Sequence, residues 1–189
     1  MKSTIIIPAM CALAGLINPA PTQKEMEIAD EHIRRILPGA TTVERHSFHL
    51  LQASQDSIRE LSKQRWTGED VEVWIPFAND VPLGYAVIDN VKGKDQFITY
   101  LVIVTPKLVV KDVEILAYRE SYGGEVEQSS WLKQFVNKQV TDELKPGKDI
   151  RNITGATISA RSVTLGVKKV LCLLYVLNDR LPQSPGTGQ

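Results

Sequence analysis

An α+β domain, with helices packed on a twisted antiparallel β-sheet, is the fold class this sequence predicts. Three observations lead there. Residues 71–77, 83–91, 97–105 and 108–118 are rich in Val, Ile, Tyr and Phe and are separated by turn residues. The connections between them are too short for parallel crossovers, so neighbouring strands should run antiparallel. Apolar residues at helical spacing flank this centre: Met26, Ala29, Ile33, Ile36 and Leu37 before it, and Val163, Val167, Val170, Leu171, Leu174 and Leu177 after it.

Taken in order, residues 1–20 read as a signal peptide or N-terminal anchor. Lys2 supplies a positive charge, residues 5–17 are uncharged and mostly apolar, and Asn18-Pro-Ala-Pro21 breaks any helix. Such a run is too short to span a bilayer comfortably and fits a signal peptide, with cleavage expected after Ala14 or Ala20. Pro8-Ala9-Met10 is a poor lipobox for Cys11. The placement expected is exported: periplasmic, or at the periplasmic face of the inner membrane. An uncleaved anchor and a cytosolic chain with a hydrophobic first strand are the alternatives.

Thr22 is a good cap for the first helix, which Pro38-Gly39 ends. Residues 42–51 are strand-like, and residues 54–66 form either a short helix or a polar excursion closed by Thr67-Gly68. Asn79-Asp80, Lys92-Gly93-Lys94 and Pro106-Lys107 supply the turns of the β-rich centre. Residues 130–136 should form a short helix with Trp131 and Phe135 on one core-facing side, and residues 158–177 the long final helix. That helix is nearly apolar all round at Leu173, Leu174 and Tyr175, which fits burial against the sheet. The domain is expected over residues 22–180, with residues 181–189 a flexible tail.

Composition narrows the function. The 189 residues carry 22 acidic and 22 basic side chains and no basic stripe with interleaved aromatics, so nucleic-acid binding has no support. Arg34-Arg35 and Lys168-Lys169 read as solvated helix faces. Cys11 and Cys172 form no C-x-x-C, and Cys172 in an apolar helix reads as a small buried hydrophobe. Of the three histidines, His46 and His49 lie three apart in a strand and should face opposite sides, and no metal site is expected. Gly93-Lys94-Asp95 and Gly147-Lys148-Asp149 lack the Ser or Thr of a P-loop, and no nucleophile elbow is present.

One stretch carries chemistry. Thr154-Gly155-Ala156-Thr157 is a small-residue turn running into the final helix, where unpaired N–H groups and the positive end of the helix dipole converge. That suits a phosphate, and Gly155 would let a ligand approach the backbone. Plain capping by Ser and Thr is the competing account. The string resembles the flavin-attachment motif of the FMN-binding domain family, which includes FMN-carrying subunits of the Rnf and sodium-pumping NADH:quinone oxidoreductase complexes. A second patch, Tyr118-Arg-Glu-Ser-Tyr-Gly-Gly-Glu125 followed by Trp131-Leu-Lys-Gln-Phe135, resembles that family's Glu-Thr-Pro-Gly-Leu-Gly segment and downstream Trp-x-x-x-Phe.

The resemblance implies an FMN-binding, electron-shuttling flavoprotein whose FMN is linked covalently, by a phosphoester, to Thr157, after a turn formed by Thr154, Gly155 and Ala156. A flavin transferase using FAD would attach it. Glu120, Ser121, Gly123 and Gly124 would wall the flavin ring, and Arg161, one helical turn after Thr157, would pair with the phosphate or stand as an exposed charge. The implied partners are haem, iron–sulfur or quinone-linked redox proteins in a membrane complex. One departure stands out: many members carry Asp three residues before the first hydroxyl of the motif, where this chain has Arg151, with Asp149 the nearest acid. A flavin-free binding or scaffold module of the same fold and a small-substrate flavin reductase are the other readings.

Overall fold

The computed structural model describes residues 19–66 and 68–183. The segment expected to be an export signal falls mainly on residues 1–18, and most of the expected tail on residues 184–189, both outside the described residues.

In chain order the elements are α1 (Gln23–Ile36), β1 (Thr42–His49), α2 (Gln52–Ser62), β2 (Asp70–Ala78), β3 (Val81–Pro82), β4 (Tyr85–Lys92), β5 (Phe97–Val104), β6 (Val110–Tyr118), α3 (Ser129–Leu132) and α4 (Thr157–Leu177). Short 3-10 turns flank α3 and follow α4. The six strands form one sheet in the order β1-β2-β4-β5-β6, with β3 pairing on β2, and every strand pair is antiparallel. The Asn79-Asp80 turn between β2 and β3 has positive φ at both residues, the geometry a tight hairpin requires.

The alternation of side chains decides which layer covers which face. Val71, Val73 and Ile75 of β2, Tyr85 and Val87 of β4, and Ile98, Tyr100 and Val102 of β5 point to one side, into a core closed by α2 and α4. Trp74, Ala86, Ile88, Leu101 and Ile103 point to the other, where Ala29 and Ile33 of α1 cover them. The sheet is thus the middle of three layers, which is why β4 and β5 are apolar almost throughout rather than alternating. α1 is held at its start by a capping box: Thr22 Oγ1 accepts from the Glu25 N–H at 3.3 Å, and the Glu25 carboxylate accepts from the Thr22 N–H at 2.7 Å.

All six apolar positions expected on the last helix, from Val163 to Leu177, have zero exposure. Each such side chain contributes roughly 1.5–3 kcal/mol, so α4 is anchored along its whole length. Gly166 sets its distance from the sheet. A Cβ there would stand 2.6 Å from Val91 Cγ1 and closer still to Tyr100 Oη.

Lys168 and Lys169 correct the sequence reading: neither is a solvated charge. Lys169 is 7% exposed, pairs with Asp89 at 2.8 Å and lies 5.0 Å over the Trp66 ring. Lys168 donates to the carbonyls of Val140 and Asp142 at 2.5 and 2.6 Å. Both α2 and the segment before α4 cover this helix, so the buried arc is wider than the apolar stripe indicates. The buried Asp89 also accepts from Tyr100 Oη at 2.5 Å. Burial first, and then the Asp89 charge and hydrogen bond, push the Tyr100 hydroxyl well above its usual range, keeping it a donor.

Candidate functional site

α4 begins at Thr157 with Ala156 as its N-cap, and no side chain caps it. Plain capping therefore does not account for the hydroxyl residues here. The first amides of a helix have no partner within it. Gly155, at φ +87°, turns the chain into the helix, and nothing lies within 4 Å of where its Cβ would be. The Ala156 N–H donates to Ile153 O at 3.1 Å, and Thr157 Oγ1 reaches the same carbonyl at 3.3 Å. That second bond is long, and Thr157 is exposed, so its hydroxyl is free to be drawn elsewhere.

The chain arrives at this turn already fastened. Trp131 Nε1 donates to Arg151 O at 2.7 Å, and the Arg151 N–H and Nε both donate to Gln134 Oε1, at 2.9 and 3.2 Å. Trp131 and Phe135 pack edge to face at 5.2 Å in the core, as the sequence predicts. Asp149 accepts from the amides of Leu144 and Lys145 at 2.9 and 2.5 Å. Burial opposes its charge, but those amides and the nearby Lys138 outweigh it and hold the carboxyl below its ordinary value. Asp149 is thus committed to the local turn.

The segment after β6 forms the facing wall. Tyr118 donates to Tyr122 O at 2.5 Å and lies 3.0 Å from the buried Ser159 Oγ, which must then be the donor to Tyr118. Burial first pushes the Tyr118 hydroxyl up, with Glu120, Glu125 and Glu127 adding to it against the Ser159 bond. Gly123, at φ +87°, would place a Cβ 2.7 Å from Tyr118 Oη and 3.2 Å from Ala156 Cβ. Glycine is needed there both for its backbone angle and for the close approach of the two motifs. Glu120 Oε1 accepts from the amides of Asp95 and Gln96 at 2.8 and 3.0 Å and crowds Gly93. Slight burial works against its charge, but the Gln96, Asp95 and Lys94 amides and Lys92 lower its carboxyl overall. Glu120 therefore fastens the β4–β5 turn.

Between the walls lies a cavity of about 510 Å³, lined by residues 120–122 with Lys94 and Asp95 on one side and by residues 155–159 on the other. The two sequence motifs, separated along the chain, meet here. Of the predicted site residues, Thr157, Gly155, Ala156, Glu120 and Ser121 line the cavity. Thr154, Gly123, Gly124 and Arg161 do not: Gly123 packs on Ala156, and Arg161 is exposed further along α4. Sequence reasoning missed Lys94 and Asp95, which looked like turn residues, Tyr122, which lies inside the second patch but drew no role, and Ile158 and Ser159, which follow the first motif.

A second polar cluster, on the α1 side of the sheet, joins residues distant in sequence. His32, Asp112 and Glu114 place potential ligand atoms within 4.8 Å of one another. His32 Nε2 is 2.6 Å from Asp112 Oδ2, and Arg35 approaches Nδ1 at 2.5 Å. A guanidinium can only donate, so Nδ1 accepts and the Nε2 proton goes to Asp112. Both ring nitrogens are satisfied and an arginine already supplies the positive charge. The cluster ties α1 to β6.

A sequence profile of the FMN-binding domain matches residues 93–172, the stretch that supplies both walls of the cavity. One component of the proton-translocating ferredoxin:NAD(+) oxidoreductase complex of Clostridium ljungdahlii is 33% identical over 176 residues, which span 85% of this chain and 84% of that protein. The crystal structure of Shewanella oneidensis NqrC overlays with a TM-score of 0.60 across 84% of this chain and 97% of its own, at 15% identity. That overlay establishes a shared fold.

Proposed function

The chain belongs to the FMN-binding domain family, and from that premise we propose that it is an electron-carrying subunit of a membrane redox complex, with FMN joined through a phosphoester to Thr157 Oγ1. The observation that carries this reading is the exposed Thr157 hydroxyl, at the uncapped start of α4 and on the wall of a cavity of about 510 Å³. That volume lies inside the range of roughly 300–1,000 Å³ usual for small-molecule sites.

The residues present fit the group. Open amides in the first turn of α4 and the helix dipole favour a phosphate beside Thr157. Gly155 leaves the approach clear, and Lys94 brings a positive charge to the opposite wall. Glu120, though acidic, has its carboxylate turned into the β4–β5 turn amides, which reduces its repulsion of an anion. In attachment, Thr157 Oγ1 would bond to the flavin-side phosphorus of FAD, AMP would leave, and the hydroxyl proton would depart with it. A separate flavin transferase performs that step.

FMN held there would supply exchange between two-electron and one-electron carriers, and the protein's part would be to orient it and limit its exposure. The rigid support of α4 keeps Thr157 in place, and the Trp131 and Gln134 bonds to Arg151 keep the preceding segment from shifting. Export to the periplasmic face of the inner membrane completes the reading. Covalent retention suits a compartment where lost flavin is not replaced. Haem, iron–sulfur or quinone-linked proteins are the exchange partners.

One observation favours a second reading. Arg151 stands where an acid is expected, and the structure commits the nearby Asp149 elsewhere. A transferase that reads an acid would then pass the chain by, leaving FMN held without a bond or a flavin-free module. Absorption spectra and in-gel fluorescence of protein exported alongside a flavin transferase separate the cases. A yellow protein that stays fluorescent after denaturation supports the phosphoester, colour lost on denaturation supports non-covalent binding, and colourless protein contradicts both of these and supports the flavin-free module.

A further inference from the structure

Five large apolar side chains stand exposed among the described residues: Leu51, Leu61, Tyr122, Ile158 and Tyr175; scattered singly such side chains are ordinary, and a shared site is what gives them meaning. Two of them, Tyr122 and Ile158, line the same cavity, one on each wall. Tyr122 is the most exposed of the five at 87%, and Ile158 is 51% exposed. Tyr122 is also positioned rather than loose: its carbonyl accepts from Tyr118 Oη at 2.5 Å, and Tyr118 is in turn bonded to Ser159 of α4. The backbone carrying the phenol is thus tied to the helix carrying Thr157 and Ile158.

We propose that Tyr122 and Ile158 form an apolar clamp for the flat ring of the flavin, with the Tyr122 phenol stacked on one face. The proposal rests on the reading of the cavity as the FMN site. Its chemistry is specific to this chain, because the resembling family segment carries Pro where this chain has Tyr122. An aromatic ring gains from offset stacking on another aromatic system, and a phenol in contact with a photoexcited flavin quenches it by electron donation. The clamp therefore makes the bound flavin dim. With the phosphate end fixed beside Thr157, the clamp governs ring orientation and exposure. Tyr122 is a positioning residue.

The test compares exported, transferase-treated wild type with Tyr122→Leu, Tyr122→Trp and Ile158→Ser, measuring fluorescence per mole of flavin and flavin load by intact mass. A free FMN titration of protein that carries no covalent flavin runs alongside. Tyr122 is exposed, so its replacement should leave folding intact, and far-ultraviolet circular dichroism checks that. The clamp predicts an unchanged load, a several-fold rise in brightness for Tyr122→Leu, retained quenching for Tyr122→Trp, and a smaller rise for Ile158→Ser. Equal brightness of wild type and Tyr122→Leu at equal load overturns the clamp and leaves the flavin reading standing. Protein that takes up no flavin, covalently or from the titration, overturns both.

Discussion

Gly123 lies against Ala156, so that a Cβ on Gly123 would come within 3.2 Å of the Ala156 Cβ. This contact joins the loop after β6 to the turn before α4, beside the cavity that the two segments line. Gly123→Ala meets two obstacles: a positive φ, costing roughly 1–2 kcal/mol, and overpacking against Ala156 and Tyr118, costing about 1–3 kcal/mol. Gly155 shares the positive φ but has open space, so Gly155→Ala carries the backbone cost alone. Urea denaturation should show Gly123→Ala as the more destabilised of the two. Flavin load should also fall more in Gly123→Ala.

Gly166→Ala tests how closely α4 fits the sheet. Alanine gains about 0.5–1 kcal/mol in helix propensity over glycine, but the new methyl group would press on Val91 and on the Tyr100 hydroxyl, costing about 1–3 kcal/mol. Overpacking wins, and a net loss of about 1–2 kcal/mol is expected. Tyr100→Phe removes the nearest of the atoms in the way, while Val91 Cγ1 and the ring carbon that carried the hydroxyl stay. Thermal or urea unfolding of the double variant should therefore show less than the sum of the two single losses.

Acid should weaken the fold partly through Glu25. This carboxylate is only 4% exposed. Burial opposes its charge, but the Thr22 amide and hydroxyl and the Arg119 guanidinium overcome that and lower its pKa from the ordinary 4.5. A lowered carboxylate contributes stability that is complete above the unfolded value and is lost as pH falls through the folded one. Glu127, raised by burial and by Glu114, acts in the opposite sense. Unfolding free energies of wild type and Glu25→Gln should differ at pH 7 and converge below pH 4.5.

Much of this was legible in the chain because it was local. The Thr22 cap, the Asn79-Asp80 turn and the six apolar positions of α4 each declare themselves within a few residues. The two motifs also pointed to one site, although only the fold shows Gly123 touching Ala156. What stayed hidden depends on pairing across long separations. Lys169 looks solvated until Asp89 and Trp66 are brought to it, His32 looks isolated until β6 supplies Asp112, and Glu120, a cavity-wall residue as expected, shows its second role only when the β4–β5 turn claims its oxygen. Tyr122 gives no signal of its own, because exposure cannot be read from a turn sequence.

Arg151 offers a change that should improve the protein. Its side chain makes one 3.2 Å bond to Gln134, which the Arg151 N–H also reaches at 2.9 Å. Arg151→Asp keeps the backbone bond and places an acid three residues before Thr154. If attachment depends on that acid, intact-mass analysis after a limited reaction with the transferase should show a larger flavinylated fraction than in wild type. An unchanged or smaller fraction would show that the acid is not what limits attachment.

The central claim concerns a single oxygen atom. Trypsin cuts after Arg151 and Arg161, releasing a peptide of residues 152–161 that holds Thr154, Thr157 and Ser159. Fragmentation of that peptide, from protein exported in the presence of a flavin transferase, reads the attachment point directly. The account predicts the mass of FMN less water on Thr157, absent from Thr157→Val. An unmodified peptide, or flavin on Thr154 or Ser159, would contradict it.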